Sequence, residues 1–393
     1  MDDSTREPTL HPSAATLKDP SLATVTDIRD VEKAQEQRTH KGIPNLLATV
    51  GPARVSACAP ERHSGPFITR SSRTRYALLL ASLATIAVLT TTGILAWNNP
   101  LPFGSEGFWR IATMRASAIV VMAVVATCQA FATIAFQTAT ANRIITPSIM
   151  GFESLYVLLH TSAVFFLGAA GVTQLTGTGQ FFLMAALMVG FSGLLYGWLL
   201  NSKTGSIHVM LLVGIVLGGG LGSLSTFMQR LLDPSDFDIL TTRMFGNISN
   251  AELTHLPFVI PIVVLTAALL FAYSPRLNVL ALGRETATNL GVHHKRATIL
   301  VLLLVSILMA MTTSLVGPMT FLGFLIAALT YQLTDTYDHR LLFPAAILIG
   351  YDVMTLAYFI LRHVFNAQGA VTVIIELIGG LAFLLFILRK GRL

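Results

Sequence analysis

Residues 297–316 read ATILVLLLVSILMAMTTSLV. No charged residue interrupts them, Lys295 and Arg296 stand directly before, and Gly317 and Pro318 follow. At 1.5 Å rise per residue a run of this length spans roughly 30 Å as a helix, the thickness of a bilayer's hydrocarbon core. The same signature recurs along the chain. Ten spans are predicted, at 76–97, 115–136, 153–170, 180–200, 209–229, 255–273, 297–316, 318–333, 342–361 and 371–388. The eighth opens at Gly317-Pro318 and is read as a partial or tilted helix. Pro257 and Pro261 fall early in the sixth, where missing donors cost least. The polar stretch 231–253 is long enough for a short surface helix.

Composition excludes the soluble classes. Of 393 residues 53% are hydrophobic and 12% charged, with a mean hydropathy of +0.67. Soluble proteins carry about 25% charged residues. The net charge of +6 is dispersed around the spans, so positive-inside placement explains it and no nucleic acid partner is expected. Cys58 and Cys128 imply no disulfide framework.

Residues 1–75 form a separate zone rich in Ser, Thr, Pro and mixed charge. No apolar core of a signal peptide follows the start. The segment is expected to be a disordered cytosolic extension, a start codon placed too early being the rival explanation. Residues 76–393 form the membrane domain. Lys and Arg fix its orientation. One side receives Arg70, Arg73, Arg75, Arg143, Lys203, Arg276, Arg284, Lys295, Arg296, Arg340 and the terminal Arg389, Lys390 and Arg392. The other receives Arg110, Arg115, Arg230, Arg243 and Arg362, with Glu106, Asp233, Asp236, Asp238 and Glu252. The expectation is an all-α polytopic membrane protein of about ten transmembrane helices with both termini cytosolic.

Between the second and third spans lies FQTATANRIITPSIMGFES, residues 136–154. Physics alone reads it as a cytosolic turn, with Pro147 disfavouring helix before it and Gly151 permitting a tight approach. Its order, Gln137, Asn142, Pro147 and Gly151, resembles the Q-x4-N-P-L-A-x-P-x3-G segment of the FecCD family, the membrane subunits of ABC importers for iron chelates, haem and vitamin B12. LNVLALGRETATNLGV, residues 277–292, is similar to that family's L-x-L-G-x-x-x-A-x-x-L-G element, through Leu282, Gly283, Ala287, Leu290 and Gly291. GPMTFLG, residues 317–323, is similar to its G-P-I-x-F-V-G, carrying Gly317, Pro318 and Gly323. Arg362 and Gly380 keep the spacing of its late Arg and final-span Gly.

The departures from the family pattern are specific. N-P-L-A is Asn142-Arg143-Ile144-Ile145 here, Pro-His-x-x-Arg becomes Ala327-Ala328-Leu329-Thr330-Tyr331, and the second Arg of R-x-P-R is Ala118, leaving Arg115. Such changes resemble the branch of paired, non-identical permeases serving ferric siderophores. No G-x4-G-K-[ST] phosphate loop occurs, so this chain is not the ATP-binding engine and is not expected to be an enzyme or to bind a cofactor.

The resemblance implies a permease subunit forming half of a translocation pore for a ferric siderophore in a bacterial cytoplasmic membrane. Its implied partners are a second homologous permease, two ABC ATPase subunits carrying ATP, an extracytoplasmic siderophore-binding protein and the lipid bilayer. It also implies ATPase coupling at 282–291, with Arg284 and Glu285 on a short polar helix backed by Leu280, Leu282 and Leu290. Arg115 and Arg362 would dock the binding protein, and both fall at outer span ends, where an Arg head reaches water. Gly214, Gly218 and Gly222, with Gly219 and Gly220 beside them, give the fifth span a small face on which another helix can pack closely; the resemblance adds that this span lines the substrate path.

Two rival readings stay open on the residues alone. Asp352 and Glu376 lie inside spans, as in a proton-coupled carrier. GFSG, residues 190–193, matches the nucleophile motif of rhomboid-type proteases and would need Ser192 activated by a histidine. His293-His294 reads as a solvated pair, not a metal site.

Overall fold

A computed structural model describes residues 65–67, 70–97, 99–174, 177–201, 207–244, 248, 253–365 and 371–390. The predicted disordered extension therefore lies outside the described residues up to residue 64, as do Lys203, Glu252 and Arg392. Among the described residues the chain is all helix and turn. The helices are α1 (Arg70–Ala96), α2 (Glu106–Ala139), α3 (Phe152–Gln174), α4 (Thr178–Asn201), α5 (Ile207–Gln229), α6 (Pro234–Met244), α7 (Leu256–Ala272), α8 (Ser274–Leu280), α9 (Arg284–Asn289), α10 (His294–Val316), α11 (Leu322–Leu333), α12 (His339–Phe359) and α13 (Val371–Lys390). Seven are long and apolar enough to cross a membrane, and the apolar stretches 152–168, 322–333 and 371–385 are shorter. Each predicted span finds its helix, and α6 is the surface helix expected within 231–253.

α2 is the axis of the bundle. It packs against α1, α7, α10, α11 and α12, and its sequence explains why. A helix apolar on every side belongs in a core, and its alanines, among them Ala126, Ala130 and Ala135, let neighbours approach closely. The Phe131 and Phe343 rings stack at 4.2 Å between α2 and α12. Ser105 starts α2, its Oγ accepting the Phe108 amide at 3.2 Å, with Glu106 in the first turn. The helix consequently begins nine residues before the predicted span. Arg115 is not at an outer helix end, as the sequence suggested, but more than two turns inside it.

The chain reverses after α2 through a turn that satisfies its own backbone. The Gln137 carbonyl accepts the Asn142 amide at 3.0 Å, and Gln137 Nε2 donates to the Arg143 carbonyl at 2.8 Å. Asn142 Oδ1 accepts the Ile144 amide at 2.9 Å, a local turn of the kind Asn favours. A 3-10 turn at Ser148–Met150 follows Pro147, and Gly151 ends it with φ +94. Gly151 also meets α5: a Cβ placed on Gly218 would lie 2.9 Å from the Gly151 Cα, and one on Gly214 would lie 2.8 Å from Met150 Cε. The small face of α5 is thus the seat of α3's entry turn.

The eighth span begins later than predicted. Residues 317–321 are non-helical and α11 starts at Leu322. Gly323 lies directly against Thr133 and Gln129 of α2, leaving no room for a Cβ. At the end of α12 the helix widens into a π turn over Ile360–Val364, a form often found at functional positions.

Gly218→Leu should separate α3 from α5 and destabilise the purified protein by about 1–3 kcal/mol, the usual range for overpacking. Gly219→Leu, whose Cβ would meet nothing within 4 Å, should leave thermal unfolding in detergent unchanged.

Candidate functional site

α8 and α9 form a compact elbow between the long helices α7 and α10. Ser274, Leu277 and Leu280 bury α8 against the bundle, where it packs on α2 and α12. Gly283 and Gly291, both at positive φ, bracket the six-residue α9. Ala287 is fully buried, while Arg284, Glu285 and Thr286 are exposed. The sequence placed Leu282 and Leu290 behind this helix, and the structure corrects that. Leu282 is 58% and Leu290 59% exposed, and Leu280 and Ala287 form the backing instead. The reason is length, since a helix of under two turns has one inward position, and the reversal at Gly291 carries Leu290 outward. The elbow thus presents two exposed leucines flanking an Arg–Glu pair.

At the other arginine-rich feature, Arg115 and Arg362 share the wall of a cavity of about 310 Å³ with Tyr358. Their environments differ. Arg115 is buried, and its Nη1 donates to the carbonyls of Ile94 at 3.1 Å and Trp97 at 2.9 Å, closing the C-terminus of α1. Arg362 stands exposed on the π turn, its Nη1 donating to the Tyr358 hydroxyl at 2.7 Å.

The loop 317–321 reveals a residue that the sequence reading passed over. Glu153, at the start of α3, accepts the Met319 amide at 3.1 Å and the Thr320 hydroxyl at 2.5 Å. Glu376 accepts the Thr320 amide at 3.1 Å from α13. Two carboxylates from separate helices hold one loop. The signal was an acid within one residue of a span's end, next to the glycine that fixes the turn. Phe321 lies against Gly379, where a Cβ would stand 2.7 Å from Phe321 Cβ; at Gly380 the ring would be met at 3.7 Å, an ordinary contact.

The remaining candidates fall into place by geometry. Asp352 is buried on α12, its carboxylate without a hydrogen-bond partner among the described residues, and it does not join Glu376 at the loop. Ser192 Oγ donates to the Met188 carbonyl one turn back at 2.8 Å, a helix-internal bond. His293 is exposed at the start of α10 and His294 half-buried, and among the described residues no cluster of three metal-ligating side chains forms. Two of the departures noted above meet each other: the Arg143 guanidinium sits 4.6 Å from the centroid of the Tyr331 ring.

Comparison with known proteins agrees with this architecture. The FecCD transport family model matches residues 76–389. The chain is 48% identical over 332 residues to the petrobactin import system permease protein FatC of Bacillus anthracis, covering 84% of this chain and 94% of that one. It is 35% identical over 263 residues to YclO of Bacillus subtilis, also a petrobactin import system permease, covering 67% and 84%. Its fold matches an ABC transporter described as metal-chelate type in an inward-facing conformation, with a TM-score of 0.68 at 21% identity, over 80% of this chain and 100% of the other. The chain belongs to the FecCD transport family and is a membrane permease subunit of an ABC importer, not an enzyme.

Proposed function

We propose that this chain carries a ferric siderophore through a bacterial cytoplasmic membrane as one half of a pore completed by a second, homologous permease. The observation that carries the substrate class is the 48% identity, over nearly the whole of both chains, to a permease named for petrobactin import. The elbow of α8 and α9 is the coupling element, where a separate ATPase seats on Leu282, Arg284, Glu285 and Leu290. ATP binding and hydrolysis on that partner switch the pore between outward and inward access. The glycine-bearing α5 lines the path beside the seam with the second permease, where exposed Leu212, Val216 and Phe227 also lie. An external binding protein delivers the chelate at the end of the bundle that carries Arg362. Both termini, and the polar segment before α1, are cytosolic.

Uptake of iron from a ferric siderophore panel, in cells depending on this chain, tests the substrate class. Leu282→Asp with Leu290→Asp should abolish uptake and co-purification of the ATPase while the permease still inserts. Normal uptake by that variant would remove the elbow as the coupling element. Orientation is checked with single cysteines in a background lacking Cys58 and Cys128. Ser235→Cys and Thr286→Cys are both at exposed positions, and an impermeant thiol reagent applied outside should label only the first.

The two arginines should separate. Arg362→Glu should weaken association with the binding protein severalfold at low salt, with the difference vanishing near 1 M salt, where screening acts over about 3 Å. Arg115→Glu should instead lower the yield of folded protein, because it leaves α1 carbonyls facing a buried carboxylate.

A further inference from the structure

The elbow is tied to the bundle by a polar network at its base. Asn278, on α8, donates from Nδ2 to Asp338 Oδ1 at 2.9 Å. Its Oδ1 accepts the His339 amide at 3.0 Å and faces His339 Nδ1 at 2.5 Å. Asp338 also caps α12, accepting the Arg340 amide at 3.0 Å. On the far side of the ring, His339 Nε2 lies 2.7 Å from Thr138 Oγ1, in the last turn of α2. Because the Asn278 oxygen only accepts, Nδ1 carries the ring proton and Nε2 is left to accept from the Thr138 hydroxyl. That hydroxyl also lies 2.8 Å from the Ile134 carbonyl, so its single proton is shared between helix and imidazole. His339 is 3% and Thr138 9% exposed.

Three helices thus meet through directional bonds at one buried imidazole. α9 packs on α8 and α10, whereas α8 packs on α2 and α12. A push on the exposed α9 therefore reaches two central helices by way of α8. The apolar contacts of Leu277 and Leu280 hold α8 against the bundle without fixing its register, since burial is non-directional. The Asn278–His339–Thr138 bonds supply that register. A cavity of about 710 Å³ borders Thr138 and His339.

We propose that Asn278, His339 and Thr138 are positioning residues for transport: the relay that converts displacement of α9 into movement of α2 and α12. The inference rests on α9 being the seat of the ATPase. The test uses the assembled transporter, with its ATPase, second permease and binding protein, in proteoliposomes supplied with ferric petrobactin as the probe. Thr138→Val is near-isosteric and removes only the hydroxyl, Thr138→Ser keeps it, and Asn278→Leu removes the other end of the relay. Thr138→Val and Asn278→Leu should assemble and hydrolyse ATP at the basal rate, yet move at least fivefold less iron per ATP. Thr138→Ser should restore the ratio. An unchanged ratio in both disrupted variants overturns the relay, as does a Thr138→Ser variant no better than Thr138→Val. Loss of assembly in both also overturns it, because the network is then scaffolding alone. A wild-type chain that recruits no ATPase overturns the reading of α9 itself, an outcome distinct from intact recruitment with an unchanged ratio.

Discussion

A backbone N–H or C=O left unpaired in hydrocarbon costs several kcal/mol, and the irregular parts of this molecule are organised around that constraint. The turn after α2 is closed by Gln137 and Asn142 acting on the carbonyl of Arg143 and the amide of Ile144. The break at 317–321 is closed by Glu153 and Glu376 acting on the amides of Met319 and Thr320. The end of α1 is closed by Arg115. Each of these devices is a polar side chain reaching from a neighbouring turn or helix. This gives the family-like residues physical roles: the Gln and Asn of the first motif are backbone ligands for a turn.

These satisfied breaks divide the bundle into parts with different freedom. α2, with α10, α11 and α12 around it, forms a densely buried centre. The α3–α5 pair is joined at the entry turn at Gly151, where two backbones come within contact of each other. A contact this close has no flexible side chain on either side. The elbow of α8 and α9 has the opposite character at its tip, exposed and bracketed by glycines, and is held by directional bonds at its base.

Charge is distributed to match. Arg115 and Arg362 border one cavity but meet different surroundings, one buried on helix carbonyls and the other exposed beside the Tyr358 hydroxyl. Burial makes the first part of the scaffold and leaves the second exposed at the surface. Arg143 and Tyr331 likewise form a cation–aromatic pair, tying the turn after α2 to α11.

The sequence by itself determined the all-α membrane class and the motifs, because each is a local property. An uncharged run of about 20 residues must be a helix where no water can pair its backbone, so the spans were legible to within a few residues except where a cap lay outside the apolar run, as at Ser105. Facing was not legible. That Leu282 and Leu290 turn outward, that Arg115 turns inward, that Glu153 reaches Thr320 and that His339 joins α8 to α2 all depend on which helices are neighbours. A position in a short helix or a turn has no periodicity long enough to reveal its inward side. Only packing, which sets those neighbours across hundreds of residues, decided which polar groups became struts within the bundle and which remained exposed at its surface.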